Sequence, residues 1–456
     1  MKALRPWLTA PTSAAPLATF RVVFGAVMLY STLRFMVRGW VTELYVDPQF
    51  YFPYLGFEFV KPLGYWGMHA LFILMALAAL GIMLGYRYRL STALFFVAFT
   101  YVELIDKTNY LNHYYFVSLV SFWLLWVPAH ATFSLDARRK GTQTPQVPRW
   151  TVLLLQGQLA LVYCYAGVAK LNYDWLVEAM PLRLWLPAQM DTPILGGLLG
   201  FTWVAYAFSW FGAFYDLTVA GFLWHPKTRP YAYAVVVAFH VLTRILFPIG
   251  VFPWVMMGAT LIFFSATWHE GWQNRLRRWW GRPLPQHSGQ WSLARPRLAS
   301  AVLVALISVQ VLLPWRYLLY PGNLFWTEEG YRFSWRVMLM EKAGYLTYEV
   351  TDSATGRSLE VAPQDYLTPQ QVKMVATQPD MILQFAHFLA DEYTQQGLTQ
   401  PQVRAYSYVS LQGRRSRPFI DPTIDLAAQS SGWAHKTWIL PASEAHGHAV
   451  ANRTER

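Results

Sequence analysis

Trp66-Gly-Met-His-Ala-Leu-Phe-Ile-Leu-Met-Ala-Leu-Ala-Ala-Leu-Gly-Ile-Met-Leu-Gly85 is a run of 20 residues without Asp, Glu, Lys or Arg. As a helix rising about 1.5 Å per residue, it reaches across the roughly 30 Å hydrocarbon core of a bilayer. Comparable blocks run from Ala18 to Arg38, Leu90 to Asp106, Asn112 to Val127 and Trp150 to Lys170. Others follow from Gly197 to Trp224, Tyr231 to Gly250, Val251 to Trp268 and Leu298 to Tyr317. Of the 456 residues 55% are hydrophobic and 14% charged, where a soluble domain carries about a quarter charged residues. Aromatic residues reach 17% and many sit at block edges, where their rings suit the headgroup layer. The sequence predicts an α-helical polytopic membrane protein with about nine transmembrane helices over residues 1–317. A small extracytoplasmic domain of mixed α and β structure is expected over residues 318–456, its tail disordered from about residue 442.

The net charge of +12 is carried mostly in short loops between blocks. Lys2 and Arg5, Arg87 and Arg89, Arg138 to Arg149, Lys227 and Arg229, and Arg275 to Arg297 fall in alternate loops. Glu43, Asp47, Glu58, Asp106, Asp174 and Glu178 occupy the others. Positive loops stay on the cytoplasmic side, so the N-terminus is expected there and the C-terminal domain outside. This pattern assigns the charge to membrane orientation, and no nucleic-acid partner is expected. The N-terminus lacks a short apolar region followed by a small-residue cleavage site, so the first block is expected to stay as an anchor. Cys164 is the only cysteine, which excludes an intrachain disulfide, a Cys-x-x-Cys redox pair and a thiolate zinc site. No metal centre is expected, the tail histidines His446 and His448 included.

In the C-terminal region Tyr345 to Thr351 alternates as a strand and continues through Asp352–Gly356 into Leu359–Val361, a hairpin. Thr368-Pro369 reads as an N-cap with Pro at the first helical position, Ile382 to Tyr393 as a helix stopped at Gly397, and Val403 to Ser410 as a strand.

Ionisable residues inside apolar blocks are costly and ask for a reason. Lys170 closes the fifth block in Tyr165-Ala-Gly-Val-Ala-Lys170-Leu-Asn-Tyr-Asp-Trp175. Taken alone it reads as a lysine snorkelling to the interface. Small Gly167 and Ala169 permit close packing beside it, and Asp174-Trp175 turns the chain back over it. An amine held out of water favours its neutral form, which acts as a base. Asn112 and His113 open the fourth block at the same membrane level. They read as ordinary interfacial residues or as a pair that orients a hydroxyl or carbonyl of a flat ligand. His240 and Arg244 share a face one turn apart in the seventh block, and Asp216 in the sixth is the expected partner of Arg244. That group reads equally as a structural ion pair and as a substrate-binding site. Pro248 and Pro253 bracket Ile249-Gly250 and predict a tight turn lining a cavity. These residues describe a dry pocket that suits a membrane enzyme acting on a lipophilic ligand, or a transporter of a lipophilic or anionic solute.

Several stretches resemble the vitamin K-dependent gamma-glutamyl carboxylases and their bacterial homologues. They are Asn112-His113-Tyr114, Gln158 through Lys170 to Asp174-Trp175, Asp216-Leu217, Phe239-His240 and Leu246-Phe-Pro-Ile-Gly-Val-Phe252. Tyr331-Arg-Phe-Ser-Trp335, Phe419-Ile-Asp-Pro-Thr-Ile-Asp425 and Thr437-Trp438 continue the match in order, from about residue 15 to 440. The resemblance implies Lys170 as the base that deprotonates vitamin K hydroquinone, or menaquinol, and Asn112 and His113 as the pair beside it. His240, Arg244 and Asp216 are carried as substrate-binding residues. With O2 and CO2 as co-substrates, a protein or peptide glutamate becomes gamma-carboxyglutamate while the quinone epoxide forms. The lipid membrane, a lipophilic quinone and a glutamate-bearing protein are the implied partners. The single cysteine and the short C-terminal region depart from the animal enzymes, which leaves a quinol oxygenase without carboxylation as the alternative within the family.

Overall fold

The computed structural model describes residues 4–279, 287–289, 291 and 296–442. The tail with His446 and His448 lies outside the described residues. Each apolar block folds as helix: Ala15–Val37, Gly64–Leu84, Tyr88–Ile105, Asn112–Trp126, Trp150–Ala169, Thr202–Trp224, Arg229–Leu246, Phe252–Thr260 and Pro296–Leu312. Five of the described helices are long and apolar enough to cross a membrane: Ala15–Val37, Gly64–Leu84, Tyr88–Ile105, Trp150–Ala169 and Arg297–Leu319. Length and composition thus support five crossings where about nine were expected. The physical reasons are local. Asn112–Trp126 has 15 residues and reaches about 22 Å. The block from Val251 to Trp268 breaks at Phe264 into a short helix and the separate polar helix Ala266–Trp279. Thr202–Trp224 is rich in aromatic side chains and carries Asp216, and Arg229–Leu246 carries an arginine near each end.

The chain divides into two compact units. One takes the described residues of Met1–Leu313 with Trp335–Leu339, the other Pro314–Ser334 with the described residues from Met340 onward. In the first, Leu17, Phe20, Phe95, Trp123, Leu159 and Trp335 belong to one buried cluster. Arg21 ties the helix ends beneath it: Nε donates to the Ala129 carbonyl (3.0 Å), Nη1 to Ile82 and Met83 (2.7 and 2.6 Å), and Nη2 to Phe133 (2.5 Å). The Ile82 and Met83 carbonyls end a helix, where negative dipole charge collects and a buried guanidinium is stabilised. Gly85, at φ +64°, stops that helix, and a Cβ there would sit 2.8 Å from Arg21 Nη1. Asp136 accepts from the Arg87 and Tyr88 backbone amides (2.9 and 2.8 Å) and so opens the next helix.

Short strands gather the basic loops at this end. β1 (Pro11–Ser13) pairs antiparallel with β3 (Gln146–Pro148), and β2 (Thr142–Gln143) pairs parallel with β4 (His287–Ser288). Lys170 lies at the opposite end of the Trp150–Ala169 helix.

The second unit holds an antiparallel sheet in the order β6 (Ser358–Val361), β5 (Lys342–Thr351), β7 (Gln402–Leu411), β8 (Arg417–Pro418). Val350 faces Val403 across the central pair. The helix Pro379–Gln395 packs on this sheet, with Tyr348 donating to the Ile382 carbonyl (3.0 Å). Thr368 caps the helix that Pro369 opens and Gly397 lies at φ +99°, as the sequence pattern predicts, and Gln371 completes a reciprocal capping box that the pattern did not indicate. Lys342 is buried between the Glu328 carboxylate (2.9 Å) and the Trp326 carbonyl (2.7 Å); burial pushes its ammonium down from the ordinary range, and Glu328 opposes that shift.

Candidate active site

On the Trp150–Ala169 helix, Tyr163, Ala166 and Lys170 fall three and four residues apart and therefore share a face. Gly167 sits where this helix meets Thr202–Trp224: a Cβ there would lie 2.8 Å from the Leu217 backbone nitrogen. The absent side chain lets the backbones approach and brings Lys170 to Asp216. Lys170 Nζ donates to Asp216 Oδ2 (2.6 Å) and to the Ala166 carbonyl (3.2 Å). Both side chains are nearly inaccessible, at 7% and 8% exposure.

Asn172 then reverses the chain. Its Nδ2 donates to the Ala169 carbonyl (2.8 Å) and its Oδ1 accepts from the Trp175 amide (2.9 Å). The Trp175 ring consequently lies against Lys170, with Nζ 5.3 Å from its centroid. Trp175 is fixed in turn, its Nε1 donating to the Ser209 carbonyl (2.8 Å) while Ser209 Oγ donates back to the Trp175 carbonyl.

The pair lies in the wall of a cavity of about 790 Å³, open solvent at its mouth included. Trp175, Trp185, Phe208, Phe239, Phe247 and Phe252 supply aromatic walls, and Val337 and Met338 return from far along the chain to complete them. Pro253 begins a helix and Gly250 takes φ +62°, so the turn after Pro248 presents Ile249 to the cavity. Polar groups are few: Lys170, Asp216, Tyr163, His240 and Thr243. The Tyr163 hydroxyl and His240 Nε2 stand 3.4 Å apart, their hydrogen bond set by the imidazole tautomer, while the buried Nδ1 has no partner among the described residues.

The other sequence-derived residues distribute unequally. Asn112 and His113 are not in the cavity wall. Asn112 Nδ2 donates to the Arg336 carbonyl (2.9 Å), just before Val337, and its Oδ1 accepts from the Tyr110 hydroxyl (3.1 Å). The His113 ring lies 5.6 Å from Phe252, which stands at the same distance from His240. The expected Arg244–Asp216 pair does not form. Arg244 is exposed, and Asp216 is taken by Lys170, because the contact at Gly167 fixes which helix Asp216 meets. Among the described residues no group of three or more His, Cys, Asp or Glu is placed to hold a metal ion.

Residues 9–268 match the HTTM domain, and residues 295–445 match the lumenal domain of vitamin K-dependent gamma-carboxylase. The chain belongs to the vitamin K-dependent gamma-carboxylase family. No solved structure matches it. The cavity suits a flat, apolar ligand that carries a few polar groups. Aromatic faces accept a flat apolar ring, and the buried ion pair and the unpartnered His240 Nδ1 offer partners for its polar groups. Within this fold, sequence reasoning missed Tyr163, Trp185, Phe252 and the returning Val337–Met338. Tyr163 carried a signal, seven residues before Lys170 on one helix face. Val337 and Met338 carried none, since their role follows from the long return of the chain.

Proposed function

We propose that this chain is a hydroquinone-dependent carboxylase of protein glutamate residues that forms quinone epoxide in the same cycle. One observation carries the reading: a buried Lys170–Asp216 pair set in an aromatic, largely apolar cavity. When bound, vitamin K hydroquinone or menaquinol supplies, together with O2, the strong base that removal of a glutamate γ-proton requires. The chain's own residues do the rest. The Trp175, Trp185 and Phe252 walls orient a planar ring and exclude the water that would quench a carbanion before CO2 reaches it. Lys170 and Asp216 form the centre that handles the hydroxyl proton. Asn112 acts on the wall through Arg336, and His113 through Phe252. His240 and Thr243 offer polar contacts on the far wall, and Arg244 lies outside this role. The quinone tail reaches the cavity from the lipid, and the glutamate arrives from the extracytoplasmic side, where the positive-inside pattern puts the C-terminal domain.

The test uses purified protein in detergent with vitamin K hydroquinone, O2, labelled CO2 and a glutamate-containing peptide. Epoxide and fixed label are followed together, with Lys170→Ala, checked for folding, as control. Both products, lost in the variant, support the carboxylase. Epoxide without label at any peptide supports the oxygenase alone, and neither product points to transport.

A further inference from the structure

We propose that Thr260 and Tyr163 hold His240 in the tautomer whose bare Nδ1 meets the bound ring, so that the site selects a hydroquinone over the corresponding quinone. The proposal rests on the hydroquinone reading above and concerns a ring oxygen away from Lys170.

His240 is 2% exposed and lines the cavity, yet its Nδ1 has no hydrogen-bond partner among the described residues. A buried polar atom in that state is costly and calls for a partner from the ligand. The imidazole is neutral. No carboxylate pairs with it among the described residues, and an imidazolium there would be a bare charge in an apolar wall. A neutral imidazole carries one proton, and the nitrogen that holds it decides whether Nδ1 accepts or donates.

The neighbours of Nε2 make that choice. Thr260, itself fully buried, donates its hydroxyl to the Met256 carbonyl (2.7 Å), so towards other groups its Oγ1 can only accept. The Tyr163 hydroxyl stands 3.5 Å from Thr260 Oγ1 and 3.4 Å from His240 Nε2. If Tyr163 donates to Thr260, its oxygen accepts from Nε2–H, and the Thr, Tyr and His protons are all bonded. If Tyr163 donates to Nε2 instead, the imidazole proton sits on Nδ1, where no protein group accepts it. The first arrangement makes one more hydrogen bond, so the protein presents Nδ1 as an acceptor.

An acceptor suits one redox state of the ring. A hydroquinone hydroxyl donates to Nδ1, whereas a quinone carbonyl meets it lone pair against lone pair. Tyr163 lies seven residues before Lys170 on one helix face, about 10 Å along the axis, which separates the imidazole from the ion pair. The Lys170–Asp216 centre keeps its role at one hydroxyl while His240 reads the other. Tyr163 and Thr260 are positioning residues that act through His240. The same choice loosens the epoxide product, whose ring oxygens are carbonyls.

The test is a ratio of dissociation constants for vitamin K hydroquinone and vitamin K quinone. Both are measured on the full chain without oxygen, in one detergent, by quenching of tryptophan fluorescence. The parent chain is expected to bind the hydroquinone about tenfold more tightly, the effect of roughly one hydrogen bond. Thr260→Val keeps the side-chain shape but removes the acceptor, so Tyr163 donates to Nε2 and Nδ1 becomes a donor. The preference is expected to vanish or invert there, although Thr260 does not line the cavity. Tyr163→Phe removes the hydroxyl that relays the choice and should bring the two affinities together. A variant that only loosened the cavity would weaken both ligands alike and keep the ratio. A parent chain without preference overturns the proposal, as does the parent's ratio retained in either variant, with folding checked by thermal melts. Absence of saturable quenching by the hydroquinone in the parent overturns the hydroquinone reading and the proposal with it.

Discussion

Lys170 and Asp216 each stabilise a charge that neither would tolerate alone. Truncating one leaves its partner stranded in an apolar wall, which costs about 3–5 kcal/mol for a buried pair. Replacing both with apolar groups of similar volume removes the burden from each. Lys170→Ala and Asp216→Ala are therefore expected to unfold at clearly lower temperature than the parent protein. The double variant Lys170→Met/Asp216→Leu is expected to recover most of that loss while making no epoxide. Thermal melts in detergent check this, and strictly additive losses would show that the two residues do not act as a pair. The sequence made Lys170 legible because a lysine at the end of an apolar block demands a reason. Its partner was not legible. Helical spacing reports which residues share a face of one helix, but not which residue of another helix meets them. Arg244 and Asp216 were matched by charge, whereas Gly167 decides the contact.

Gly167 matters as the point where two helices touch. A methyl group there meets backbone, the Leu217 nitrogen at 2.8 Å, which no rotamer change relieves. Gly167→Ala is expected to cost about 1–3 kcal/mol by overpacking. Epoxide formation is expected to fall by tenfold or more, because displacements of about 1 Å at a reacting centre cost up to about 100-fold. Gly157→Ala on the same helix is the control, with nothing within 4 Å of its added carbon. Equal activity of the two variants would remove the helix contact from the mechanism. A second test at this scale concerns the buried Lys342 of the sheet unit. Its folded value lies below the unfolded one, so between the two values the unfolded chain binds more protons and stability rises with pH. Glu328→Gln removes the group that opposes the shift. The variant should be less stable at neutral pH and should gain more than the parent as pH is raised toward the lysine range. Thermal melts across that range would contradict this if both proteins gained equally. The strands and capped helices of this unit were readable because alternation and Thr368-Pro369 are local signals. The short helices of the membrane unit were not, since an apolar run gives composition but not where a helix breaks.

The whole chain poses a counting problem that the strand pairings help to solve. With only the five long helices crossing, residues 106–149 would lie across the membrane from the N-terminus, yet β1 pairs with β3. Pairing therefore requires the Asn112–Trp126 helix to bring the chain back, despite its 15 residues. The same argument applies further along. β2 pairs with β4, so an odd number of returns must fall among the three helices from Thr202 to Thr260. On that reading the total would be seven or nine, and because five, seven and nine are all odd, each count would leave the termini on opposite sides. Only the longer counts keep residues 138–149 with the N-terminus, in agreement with their basic character. Single cysteines in a Cys164→Ser background test this in intact cells with a membrane-impermeant thiol reagent. Ala354→Cys, in an exposed turn of the C-terminal unit, is expected to react at once. Lys140→Cys, also exposed, is expected to react only after the membrane is opened. Reaction of both in intact cells would mean that Asn112–Trp126 does not cross and would return the count to five. Reaction of Lys140→Cys alone would reverse the orientation, and with it the side from which a glutamate substrate reaches Lys170.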